Sequence, residues 1–274
     1  MGRLNLSKEY IHGYSHQEQQ RLVKQAQYWR EKLLLRDFKL SPSEYLLEIG
    51  CGVGAVLGII LESFPDLRVA GIDLESTQIE CAHQYLHTLG FDNIDLRVGD
   101  ASQLPWSDAS FDHVYAIWFL EHVSNPNAIL EEAYRVLKPG GRITITETDY
   151  KTHLIWPDSP DYQYLLQSYC EMFLYADGNP CIGRILGPLL TSVGFREVTN
   201  IPWGFYHFGS TESQDLQKWV EYIYSCIEPT LMEMTRKLGK DFQRLEAGLE
   251  FFRNLANQPE CAAALTIYRA SGKR

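Results

Sequence analysis

The residues best placed to do chemistry are three carboxylates, each closing a short apolar run, with a cluster of glycines beside the first. Glu48-Ile-Gly50-Cys-Gly52-Val-Gly54 sits where an apolar run gives way to a helical pattern. Glycines there let the backbone turn sharply and approach a ligand more closely than a side chain allows. The loop alone fits a dinucleotide or S-adenosylmethionine, so its neighbours decide. Glu48 would repel a pyrophosphate and attract a ligand carrying an ammonium and a sulfonium. Asp73 ends the next apolar run, where a carboxylate accepts hydrogen bonds from both ribose hydroxyls. Asp100, in Gly99-Asp100-Ala101, supplies an acceptor where an adenine amine would then lie. Together they suit a cationic nucleoside.

Displacement at a sulfonium methyl has a good leaving group, so alignment supplies much of the acceleration and a base matters only if the acceptor must lose a proton. His122, just past the fourth apolar run, is the best-placed histidine for such work; His12, His153 and His207 are lesser candidates. Tyr14 can position acceptor or cofactor through its hydroxyl. Leu74 beside Asp73, Ala101 beside Asp100, Cys51 within the loop, Trp118 and His122 complete the cofactor-facing set. Trp118, Trp203 and Tyr206 are taken as walls of an apolar acceptor pocket, because aromatic faces bury flat organic ligands and stabilise cationic amines.

These residues need a framework, and the patterning supplies one. Residues 16–38 repeat apolar positions at helical spacing after Ser15, an N-cap with Glu18 in capping-box position. Strands are predicted at 45–49, 68–73, 94–98, 111–116 and 142–147, and helices at 55–63, 76–89 and 128–136, with a turn at Pro139-Gly140-Gly141. Strands alternating with helices imply a parallel, doubly wound sheet. Residues 150–182 are rich in tyrosine and read as a helical cap, followed by a helix at 183–193 and an extended segment at 197–208 with Pro202 limiting its ladder. Residues 211–257 read as helical and 263–268 as the last strand.

Glu48 to Gly54, Gly71-Ile-Asp73, Gly99-Asp100-Ala101, Ser110-Phe-Asp112, Leu120-Glu-His122 and Leu137-Lys-Pro-Gly-Gly141 resemble, in order, the motifs of class I S-adenosylmethionine-dependent methyltransferases of the small-molecule, UbiE-like or type 11 group. The resemblance implies an α/β fold: a Rossmann-like, doubly wound, mostly parallel seven-stranded sheet with a helical cap over its C-terminal edge. It also implies one domain over residues 1–274, made of a helical lid segment (1–44), a cofactor core (45–149) and cap insertions at 150–182 and 209–260. Tyr10-Ile-His-Gly-Tyr14-Ser is similar to a segment that closes over the cofactor, which places Tyr14 over the methionine part and Gln78 near the adenosine.

Composition narrows the partners. A net charge of -10 disfavours nucleic acid and acidic membranes, and Ala116-Ile-Trp-Phe-Leu120 lacks the Asn/Asp-Pro-Pro-aromatic pattern of amino-methylating DNA enzymes. Six cysteines without a CxxC pair point to reduced thiols in the cytoplasm. No apolar run reaches membrane-span length. Glu147 and Asp149 read as a solvated strand end rather than a metal site, so metal-independent transfer is expected. The expected activity is N- or O-methylation of a small hydrophobic metabolite of secondary-metabolite type, yielding S-adenosylhomocysteine. The alternatives are C-methylation of a quinone or lipid precursor, a silent S-adenosylmethionine-binding protein, and an NAD-dependent oxidoreductase. Oligomeric state is left open.

Overall fold

The computed structural model describes residues 10–209, 213–258 and 260–274. The expected lid segment is thus described from residue 10 onward, and residues 1–9, with 210–212 and 259 of the second cap segment, lie outside the described residues. Strands β1 (Tyr45–Ile49), β2 (Arg68–Asp73), β3 (Asp95–Val98), β4 (Phe111–Ile117), β5 (Leu137–Trp156), β6 (Arg196–Phe208) and β7 (Ala262–Lys273) form one sheet in the order β3-β2-β1-β4-β5-β7-β6. The first five are parallel, and β7 runs antiparallel to both β5 and β6. This is the doubly wound, mostly parallel, seven-stranded sheet expected. Helices α2 (Ala55–Ser63), α3 (Ser76–Thr88) and α4 (Pro126–Val136) make the crossovers. Because both faces are covered, the inner strands are apolar almost throughout: Leu46, Leu47 and Ile49 of β1 are all buried.

Helix α1 (His16–Trp29) begins as the sequence requires, Ser15 Oγ accepting from Glu18 N at 3.2 Å. The second half of the capping box does not form, because Glu18 turns its carboxylate to Arg21. A π-helical turn, Arg30–Leu34, follows. Arg269 of β7 satisfies the carbonyls of Leu33 and Arg36 at its end, both at 2.7 Å.

The largest departure is in β5. Pro139-Gly140-Gly141 does not end the pairing with β4 but shifts its register between Phe111 and His113. At the other end the strand runs on through residues 150–156, paired to β7 as far as Trp156↔Ala262 after a second register shift. The first cap segment therefore starts at Pro160, with α5 (Pro160–Tyr175), rather than at residue 150. Helix α6 (Leu186–Val193) then packs on the sheet before β6, an edge strand where Pro202 costs no inner ladder bond. Helices α7 (Ser213–Ile227), α8 (Leu231–Leu238) and α9 (Phe242–Arg253) join α5 over the extended ends of β5 and β7, around Tyr162, Tyr169, Phe173, Trp219 and Phe252.

Candidate active site

A cavity of about 950 Å³ opens where the parallel strands end. Its first half is built from the loop after β1. Gly50 N and Cys51 N both donate to Ile72 O, which ties the loop to β2. Gly50, Gly52 and Gly54 all have positive φ. At Gly50 an added Cβ would strike the ring of Phe119, whereas at Gly52 it would meet only Leu22 at 3.8 Å, so Gly52 leaves backbone open to the cavity. Gly54 is not brought to the cavity wall. It starts α2 in the left-handed conformation, with Ala82 Cβ 3.1 Å from where a side chain would stand, so its role is helix packing.

Asp73 accepts from Gly52 N at 2.9 Å and Glu75 N at 3.1 Å, which fixes the loop and leaves a second lone pair on each oxygen. Asp100 accepts from Ser102 N at 2.8 Å in its own turn. Glu48 is fully buried with Oε2 lacking any hydrogen-bond donor, and burial beside Asp73 pushes its carboxyl well above the usual range. Such an orphaned carboxylate calls for a cationic or donor group from a ligand. Gln78 also lines the cavity and is held by Gln19 Nε2 at 3.1 Å, joining α3 to α1. Tyr14, Cys51, Leu74, Ala101, Trp118 and His122 line the same space, so the structure gathers the expected set except Gly54.

The second half is aromatic. His122 stands on the 3-10 turn Leu120–His122, stacked on Phe173 with centroids 5.1 Å apart and edge-on to Tyr10 at 4.8 Å. Burial, then the Arg21 charge, push its imidazole down to about 3, so it is neutral. Trp118 is held at φ 48, uncommon for a bulky residue, with its indole N–H donating to Thr148 Oγ1 at 3.1 Å. Tyr10, His12, Arg21, Tyr150, Tyr169, Tyr222 and Cys226 also line the chamber. Sequence reasoning named Tyr10 and Arg21 only within the segment that closes over the cofactor, and did not single out Glu121 or Tyr150. Glu121 lies within the Leu120-Glu-His122 motif, the one signal that could have found it.

Three expectations are corrected. Trp203 is not in the cavity; it is sandwiched between Arg36 and Arg269, their guanidinium carbons 4.3 and 4.7 Å from its ring. Tyr206 lies on the edge strand, 62% exposed, away from the site. Glu147 and Asp149 are not a solvated strand end: both are buried, Asp149 in a two-pronged pair with Arg184 at 2.6 Å and Glu147 accepting from Phe119 N and Leu120 N. The lesser histidines His153 and His207 are buried outside the cavity wall, against Trp219. Among the described residues, no group of three or more His, Cys, Asp or Glu side chains is arranged to hold a metal.

The orphaned Glu48, the ordered carboxylates and the open Gly52 backbone fit S-adenosylmethionine, and a methyltransferase domain family matches residues 47–145. Residues 47–145 are a methyltransferase domain by that match, of the class I S-adenosylmethionine-dependent kind that the ordered motifs resemble. An O-methyltransferase of Pyrenophora dematioidea is 26% identical over 228 residues, covering 81% of this chain and 75% of that protein. A demethylmenaquinone methyltransferase of Lactobacillus johnsonii is 29% identical over 161 residues, 58% of this chain and 61% of that one. The chain spans between 48% and 75% of the first curated relatives it matches. A phosphoethanolamine N-methyltransferase of Haemonchus contortus shares the methyltransferase fold at TM-score 0.57, with 19% identity over 89% of this chain and 52% of that one.

Proposed function

We propose that this protein uses S-adenosylmethionine to methylate a nitrogen or oxygen of a small, largely hydrophobic metabolite of secondary-metabolite type, releasing S-adenosylhomocysteine. The observation that carries the reading is one continuous cavity joining the unpartnered carboxylate of Glu48 to an aromatic chamber walled by Tyr10, Trp118, His122 and Tyr150. Its volume, about 950 Å³, lies at the upper end of the roughly 300–1,000 Å³ of ligand pockets, which leaves room for two small molecules together. When bound, the cofactor supplies an electrophilic methyl group. The chain's part is placement: Glu48, Asp73 and Asp100 hold the cationic nucleoside, and Tyr14 and α1 exclude water above it. His122 meets the acceptor as an uncharged hydrogen-bonding ring. The cytoplasm is the compartment we assign, since all six cysteines are free thiols.

Titration calorimetry with S-adenosylmethionine, S-adenosylhomocysteine and NAD in parallel tests the cofactor. Binding of the first two without NAD is the expected result; NAD binding alone overturns it. Incubation with methyl-labelled cofactor and metabolite extracts then tests the acceptor. Label on nitrogen or oxygen supports the proposal, label on carbon replaces it with C-methylation, and binding without any turnover leaves a silent cofactor-binding protein.

A further inference from the structure

The acceptor half of the cavity carries a buried acidic side chain with no cation free to answer it. Glu121 lines the wall at 2% exposure, and its Oε2 has no hydrogen-bond donor. Its Oε1 has only long contacts, to the Tyr150 hydroxyl at 3.4 Å and His122 Nε2 at 3.5 Å. Glu147, at 0% exposure, uses Oε1 to accept from Phe119 N and Leu120 N at 3.0 and 2.7 Å, and its Oε2 also lacks a donor. Glu147 does not itself line the cavity; burial, then the neighbouring Glu147 charge, pushes the Glu121 carboxyl well above the usual range. Among the described residues lining the cavity, Arg21 is the one lysine or arginine, and Glu18 already holds it with two contacts of 2.6 Å.

A phenolate, carboxylate or phosphate entering this chamber would face Glu121 with no cation to spare. An ammonium would face a carboxylate and the rings of Tyr10, Trp118, Tyr150, Tyr169 and Tyr222, which line the same space and attract cations. Burial also ranks the bases. Burial weakens the two histidines of the chamber, His12 and His122, and strengthens the two carboxyls, so the carboxyl pair is what holds a proton near neutrality.

We propose that the acceptor is an amine on an apolar frame and that Glu121, with Glu147 buried beside it, binds its ammonium and takes the proton that masks the nitrogen lone pair. The inference rests on the methyltransferase reading above. An N–H bond of the ammonium breaks toward a Glu121 oxygen, leaving a neutral amine and a carboxylic acid. The lone pair then forms the N–CH₃ bond as the S–CH₃ bond breaks, its electron pair staying on sulfur as a neutral thioether. The positive charge passes from sulfur to nitrogen, the methylated ammonium departs, and Glu121 returns its proton to water.

The test is calorimetric binding to the protein saturated with S-adenosylhomocysteine, using phenethylamine and tryptamine against their hydroxyl counterparts phenethyl alcohol and tryptophol. Each amine should bind about tenfold or more tightly than its alcohol, the size expected for a hydrogen bond to a charged group. Glu121→Gln should remove that preference while leaving S-adenosylhomocysteine affinity within about threefold, since the substitution touches only the acceptor half. The wild-type comparison stands without the variant, should the substitution impair folding. Amines binding no better than alcohols, or not binding at all, overturn the proposal. Failure of S-adenosylhomocysteine itself to bind would instead sink the cofactor reading.

Discussion

Asp73 does two jobs with one carboxylate. It pins the glycine loop through Gly52 N and Glu75 N, and it offers its remaining lone pairs to the cavity. Asp73→Ala is therefore expected to weaken S-adenosylhomocysteine binding by about 1.5–3 kcal/mol, roughly ten- to a hundredfold, measured by calorimetry. Unchanged affinity would count against its placement at the ribose. His122 lies on the acceptor side, so His122→Ala should lower kcat by about tenfold or more with cofactor affinity little changed. Because its imidazole is held near 3, no inflection from its titration is expected between about pH 6 and 8; a kcat profile that bends there and flattens in the variant would contradict its neutrality. At this scale the sequence was legible where chemistry follows a strand end, as at Glu48 and Asp73. It misread Glu147, whose burial depends on backbone amides of Phe119 and Leu120, and Asp149, whose partner Arg184 stands 35 residues further on, as a solvated strand end.

Elements were read best where one local rule decided them. Strand β1, helix α2 and strand β2 fall on their predicted bounds, because an apolar run buried on both faces and a glycine loop leave no competing pattern. Residues 150–156 were misread because their strand state comes from pairing to β7, over a hundred residues away, rather than from their own composition. Trp203 misled for a related reason: an aromatic sequence cannot say that two arginines from other elements will enclose it. At the loop, Gly50→Ala should be costly, since the left-handed φ of 72° and the Phe119 ring both oppose a Cβ. We expect a loss of more than about 2 kcal/mol, seen as a lower denaturation midpoint, whereas Gly52→Ala should carry only the left-handed backbone cost of about 1–2 kcal/mol, without a ring clash, and lose cofactor affinity as well. Equal stability of the two variants would contradict the geometry.

For the molecule as a whole, buried carboxyls set the pH dependence of stability. Burial pushes Glu147 up to about 8 from a usual 4.5, and moves Glu48 and Glu121 in the same direction. Between those limits the native state holds protons that the unfolded chain has released, so the stabilisation present below about 4.5 is lost as pH rises through about 8. Asp95, Asp112 and Glu132 work oppositely: hydrogen bonds from cationic partners lower them, and their contribution disappears as acid protonates them. The unliganded protein should be most stable in mild acid and lose denaturation temperature toward alkaline pH, a slope that Glu147→Gln should reduce. A flat or rising profile over that interval would contradict the burial of these groups as protonated acids. Added S-adenosylmethionine should stabilise the fold by about 2.7 kcal/mol at a hundredfold excess over its Kd.

The cavity's two halves differ in how the chain supplies them. The three carboxylates that hold the cofactor, from Glu48 to Asp100, come from one uninterrupted stretch, while the acceptor walls draw on three distant pieces, around Tyr10 to Ala26, Trp118 to Asp177, and Tyr222 to Cys226. Heredity meets these halves differently. A single genetic crossover can transplant the cofactor site intact, but the acceptor chamber survives recombination only when its amino-terminal and carboxy-terminal pieces are inherited together. Descendants of such a gene should diversify by point substitution within the chamber, and laboratory chimeras should be cut twice, ahead of Tyr45 and again beyond Glu147.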